Sequence, residues 1–329
     1  MKLACYRSCK ENRFALVVGD RLLDLADAHA IARRAGVRLS LGAMPSDPIA
    51  FLRLGDAAMD DARTLVEQAA SLDFSEASLA LSDAELTAPI PHPSSLRDGY
   101  AFRQHVEAAR RNRGLPMIPE FDEIPIFYFS NHHAVTGPGD VHVLWRHCEQ
   151  LDFELECAVV IGKEGRNIPA ERADEFIAGY MVMNDWSARA LQMQEMKLNL
   201  GPAKGKDFAT SLGPFLVTRD ELASRRIESP FGERYDLAMI ARINGEEVSR
   251  GNLRDMHWTF AQIIERASYG VTLYPGDVIG SGTCGTGCLL ELNGSKVFDP
   301  PRWLAPGDVV ECEIELLGTL KNRIVLDAD

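Results

Sequence analysis

Leu151-Asp-Phe-Glu-Leu-Glu-Cys-Ala-Val-Val-Ile-Gly162 is the stretch on which the reading of this chain turns. The apolar run after Cys157, closed by a glycine, predicts a buried strand, and strand alternation puts Glu154 and Glu156 on one face. Two carboxylates so close to an apolar strand repel each other and lose hydration, at a cost of several kcal/mol unless a cation or an ion-pair partner neutralises them. Hard oxygen ligands favour magnesium, calcium or manganese over zinc. The competing reading is an edge strand with a solvated acidic face.

Four further segments add chemistry. Gly179-Tyr-Met-Val-Met-Asn-Asp-Trp-Ser-Ala-Arg189 reads as an apolar strand ending in Asn184-Asp185, where Asp185 could serve a metal or cap the helix that starts near Ala188. Gly201-Pro-Ala-Lys-Gly-Lys-Asp-Phe-Ala-Thr210 is glycine-rich but fails the phosphate-loop pattern, because Asp207 follows Lys206; it places a lysine beside an oxyanion or in a solvated loop. Asp98-Gly-Tyr-Ala-Phe-Arg-Gln-His105 lies in a stretch that predicts a helix over 97–113. Gly280-Ser-Gly-Thr-Cys-Gly-Thr-Gly-Cys-Leu-Leu-Glu-Leu292 reads as a glycine loop running into a strand that carries Glu291. A histidine oriented by a carboxylate can act as a general base at neutral pH, although sequence does not bring Glu291 to His105. Cys284 and Cys288 form half of a zinc pattern with no second Cys/His pair nearby in sequence.

Around these segments the chain reads as α+β with a mostly β body. Alternating residues 1–25 predict short strands with a turn near Gly19-Asp20, and helical patterns follow at 28–34 and 60–71. The proline-rich Leu86 to Ser95 predicts a boundary near residue 88, giving a small N-terminal α+β domain (1–88) and a catalytic domain (89–329). Strands are expected in the second part at 126–129, 153–161, 176–183, 213–218, 237–243, 277–280, 288–292 and 309–316, and helices at 170–175, 188–196 and 253–268.

The 329 residues are 46% hydrophobic and 25% charged, ordinary globular proportions that set aside disorder and fibrous repeats. A net charge of −13 without a dense basic run argues against nucleic acid as a partner. No apolar stretch approaches a membrane span and the N-terminus lacks a secretory pattern, so no membrane partner and a cytoplasmic location are expected. Seven cysteines spread through the chain point to reduced thiols.

In this order, the five segments resemble the fumarylacetoacetate hydrolase family. The resemblance implies a β-roll C-terminal domain, usually a homodimer, with a divalent ion (magnesium foremost, calcium or manganese otherwise) held by Asp98, Glu154, Glu156 and Asp185 and completed by Lys206 and Thr210. His105 falls at the catalytic histidine of the fumarylacetoacetase branch, and Glu291 at its orienting glutamate. Ala108, three residues after His105, departs from the His-x-x-Glu dyad of the acylpyruvase branch. Tyr100, Gln192 and Thr283 match substrate-contacting positions, and Arg111 in the 110–113 cluster offers a carboxylate clamp. The resemblance implies hydrolysis of a carbon–carbon bond in a 1,3-dioxo acid, with His105 activating water and Lys206 stabilising the enolate. The alternatives are isomerisation or decarboxylation of a small unsaturated or β-keto dioic acid on the same metal, and a non-catalytic metal or small-acid binding protein.

Overall fold

The computed structural model describes residues 1–9 and 11–328. Its main body is a 12-stranded sheet whose central path runs Ser78–Ala80, Arg21–Asp24, Glu11–Val18, Lys2–Ser8, Thr210–Val217, Ile177–Asp185, Leu155–Ile161, Val278–Gly280, Leu96–Gly99 and Phe127–Ser130. A five-stranded sheet of Glu246–Asn252, Ala238–Ile243, Val309–Ile314, Gly318–Leu326 and Gly139–Val143 packs against it. The fold is mixed α+β and mostly sheet, as expected.

The central strand Leu155–Ile161 is buried along its whole length. Its two faces enter different cores. Leu155, Cys157, Val159 and Ile161 join the core shared with the five-stranded sheet and the helix Phe260–Ser268, whereas Ala158 and Val160 join a core with Leu16, Phe51 and Leu65 of the N-terminal region. A strand apolar on both faces is what sandwiching between two layers demands. The N-terminal strands also continue the main sheet directly, with Lys2 opposite Val217 and Leu3 opposite Leu216.

Three local expectations are corrected. Residues 97–113 are not one helix: Leu96–Gly99 is a strand, paired in parallel with Val278–Gly280, and the helix spans Arg103–Arg111. Residues 288–292 are not a strand: Cys288 is extended and Leu289–Gly294 is a helix, because the buried Asp152 carboxylate accepts from Leu289 N–H (2.7 Å) and Leu290 N–H (3.0 Å) and so satisfies its first turn. The expected helix over 253–268 is likewise a 3₁₀ turn at Leu253–Asp255 followed by the helix Phe260–Ser268, which Thr259 caps. No helix among the described residues is long and apolar enough to cross a membrane.

Candidate functional site

Antiparallel pairing gathers the acidic residues at one end of the sheet. Leu96–Gly99 and Ile177–Asp185 finish there, while Leu155–Ile161 and Thr210–Val217 begin there. Asp185 therefore lies opposite Thr210, Asp98 opposite Gly280, and Glu154 just before the strand that pairs with Asn184. Ligand oxygens of Asp98, Glu154, Glu156 and Asp185 all lie within 4.8 Å of one another, and all four residues are buried.

Their electrostatics are uneven. Burial works against the charge of Glu154, but the Lys206 ammonium and the Arg189 guanidinium outweigh it and hold its carboxyl well below the usual range. Burial, with Asp185 adding repulsion, pushes Asp98 up to about 7. Glu156 and Asp185 are also raised, in each case chiefly by burial. Lys206 donates to Glu154 and to Asp185 Oδ2 (2.6 Å), Tyr128 hydroxyl donates to the same Asp185 oxygen (2.6 Å), and Asp185 Oδ1 is buried without a hydrogen-bond partner.

Four carboxylates, one with a free oxygen and three resisting ionisation, form a donor set short of positive charge. The residues present fit a hard divalent cation. Lys206 stands as a charge partner of the carboxylates, since an ammonium has no lone pair to offer a metal. Thr210 is buried at the cluster's edge.

Approach of the backbone completes the cradle. Gly282 N–H donates to Asp98 Oδ1 (3.0 Å) and Glu156 Oε2 (3.1 Å), and Thr283 hydroxyl to Glu156 Oε1 (3.3 Å). A Cβ at Gly280 would lie 2.5 Å from Asp98 Oδ1, so glycine is required where the strand passes that carboxylate.

The second half of the site comes from two helices. His105, in the first turn of Arg103–Arg111, meets Glu291 of the short helix Leu289–Gly294, with Nδ1 2.8 Å from Oε2 and both side chains buried. This leaves Nε2 as the ring atom available to another group. Tyr100 stacks edge-on against His105 at 5.8 Å between centroids. Burial raises the Tyr100 hydroxyl, and the positive charge of Arg113 partly opposes this. Arg111, at the end of its helix, and Arg113 just beyond it are both exposed.

Arg189 and Asp152 were not singled out by the sequence, yet they tie the halves together. Arg189 donates to Asp152 Oδ2 (2.8 Å), to Glu154 Oε1 (2.7 Å) and to Gln192 Oε1 (3.0 Å). Asp152 in turn caps the helix that carries Glu291. The sequence signal was the third acid of the Asp-x-Glu-x-Glu run, one strand period before Glu154.

The profile of the fumarylacetoacetate (FAA) hydrolase C-terminal family matches residues 94–325. The chain is 35% identical over 292 residues to the oxaloacetate tautomerase YisK of Bacillus subtilis, covering 86% of this chain and 88% of that protein. It is 34% identical over 284 residues to the human mitochondrial oxaloacetate tautomerase FAHD2A, covering 86% and 81%. Among solved structures, an HpcE protein from Mycobacterium smegmatis is 29% identical with a TM-score of 0.72, covering 100% of both chains. The YisK and FAHD2A relatives overturn carbon–carbon bond hydrolysis as the expected reaction, since both are named tautomerases, enzymes of the isomerase type. The chain belongs to the fumarylacetoacetate hydrolase family.

Proposed function

We propose that the chain is a metal-dependent tautomerase of a small 2-oxo dicarboxylic acid of the oxaloacetate type. The observation that carries the reading is the His105–Glu291 pair beside the four-carboxylate cluster, in a chain whose YisK and FAHD2A relatives, each matched over 86% of its length, are named oxaloacetate tautomerases. Tautomerisation moves one proton between the carbon next to a ketone and the ketone oxygen. The C–H electron pair becomes the C=C bond, the C=O pair withdraws onto oxygen, and the oxygen takes up a proton from water; the reverse restores the ketone.

Asp98, Glu154, Glu156 and Asp185 would hold a divalent ion, magnesium by preference, which when bound supplies positive charge to the substrate oxygens. His105 Nε2 takes and returns the carbon-bound proton, while Glu291 fixes the ring through Nδ1. Lys206 stays charged and lowers the energy of the oxyanion. Tyr100, Gln192 and Thr283 orient the substrate, and Arg113 draws its carboxylate toward the pocket. The active species is a homodimer.

The test is the decay of oxaloacetate enol absorbance with magnesium, with manganese and with EDTA, together with product analysis. The proposal predicts metal-dependent ketonisation well above the buffer rate, with the four-carbon chain intact. Release of pyruvate and carbon dioxide, or no acceleration over buffer, would overturn it.

A further inference from the structure

Cys288 is a buried thiol that the tautomerase reading does not use. Its sulfur, a ring nitrogen of His105 and a carboxylate oxygen of Glu291 lie within 4.8 Å of one another. The sequence offers only Cys284 and Cys288 as a zinc half-pattern, and the fold supplies the missing ligands from residues 183 positions upstream and three downstream. Nearby lie the carboxylates of Asp152 and Glu154, both paired with the Arg189 guanidinium.

We propose that His105, Cys288 and Glu291 form a second, distinct metal site, selective for a borderline-soft divalent cation of the zinc type, and that its occupation withdraws His105 from proton transfer. The donor chemistry separates it from the carboxylate cluster. Four hard oxygens suit magnesium or manganese, whereas one nitrogen, one sulfur and one oxygen make a three-ligand zinc set with a position left for water. On binding, the Cys288 sulfur enters as thiolate and its proton passes to solvent, with no change of oxidation state. Zinc is then an inhibitor that acts without displacing magnesium. Binding itself depends only on the geometry; the inhibition rests on the tautomerase reading.

The experiment is zinc-edge X-ray absorption on the full chain, saturated with magnesium and given one equivalent of zinc, in a Cys9→Ser, Cys148→Ser background that removes the two cysteines that are not buried. The expected spectrum shows one sulfur scatterer at about 2.3 Å and nitrogen or oxygen scatterers at about 2.0 to 2.2 Å. Adding Cys288→Ser should remove the sulfur and lower zinc affinity by about tenfold or more, leaving calorimetric magnesium binding unchanged. Where that variant does not fold, His105→Gln gives a second reading, since it removes a nitrogen scatterer and keeps the sulfur. Zinc bound through oxygen and nitrogen alone, zinc competing one-for-one with magnesium, or a sulfur signal that survives Cys288→Ser would each overturn the site. Sulfur-bound zinc with full tautomerase activity would overturn the inhibition and the role of His105, while leaving zinc binding standing.

Discussion

Among the described residues there are two buried histidine–carboxylate pairs, and they differ in what the carboxylate has left to give. In the N-terminal region His29 Nε2 lies 3.2 Å from Asp61 Oδ2, and the same carboxylate accepts Ser40 N–H (2.7 Å) and Leu41 N–H (2.9 Å). Both oxygens of Asp61 are thus committed to holding the loop after the helix Leu25–Arg34 against the helix Asp56–Gln68. Glu291 receives only His105 among the described side-chain contacts, and the pair faces Cys288, Tyr100 and the charge of Glu154. The same pair of residue types is a fastening in one place and, in the proposed reaction, a proton-handling device in the other, because the surroundings differ.

The largest expected effect comes from breaking the second pair. His105→Gln should lower kcat by about 10²- to 10⁴-fold with the thermal midpoint little changed. His29→Gln should leave kcat within a factor of about two and cost about 1–3 kcal/mol of stability, because a buried carboxylate loses a partner. Parallel steady-state kinetics and urea titrations of both variants check the contrast, and equal activity losses would erase it.

Next in size is the bridge between the halves of the site. Asp152→Asn weakens the cap on the Glu291 helix and the ion pair with Arg189, so kcat and magnesium affinity should each fall about 10- to 100-fold. Calorimetric metal titration of folded protein separates this from simple unfolding, and an unchanged magnesium affinity would remove Asp152 as a positioning residue. Gly280→Ala crowds Asp98 and should weaken magnesium binding at a stability cost of about 1–3 kcal/mol.

The smallest effect is a pH dependence of the first pair. Burial disfavours the Asp61 carboxylate, but the Ser40 and Leu41 N–H groups and His29 outweigh it, and its pKa lies below the ordinary value. A carboxyl depressed on folding contributes stability that is present in full above its unfolded pKa of about 3.9 and is lost as pH falls through the folded value. Asp61→Asn should therefore flatten the urea midpoint between about pH 4 and pH 2, with kcat at neutral pH unaffected. A midpoint that still falls as steeply would assign the acid sensitivity to other carboxyls.

The sequence carried the central strands well because their period is local: Leu155–Ile161 and Ile177–Asp185 are apolar runs with acids at the shared end. The residues expected around a metal, Asp98, Glu154, Glu156 and Asp185, do come together. Where the expectation failed, the deciding contact was remote. Leu289-Leu-Glu-Leu292 fits a strand or a helical turn equally, and the Asp152 carboxylate, 137 residues earlier, decides for helix. Leu96–Gly99 is a strand because Val278–Gly280 pairs with it. The reaction itself was not legible, since hydrolysis and tautomerisation draw on the same carboxylates and the same histidine.

The central claim is that His105, held by Glu291 beside the carboxylate cluster, moves the carbon-bound proton. Deuterium washout from carbon 3 of deuterated oxaloacetate, followed by NMR with saturating magnesium, reads that step directly. The account predicts catalysed washout by the unaltered chain and loss of it in His105→Gln, with magnesium affinity preserved. Washout by His105→Gln at the rate of the unaltered chain would contradict it.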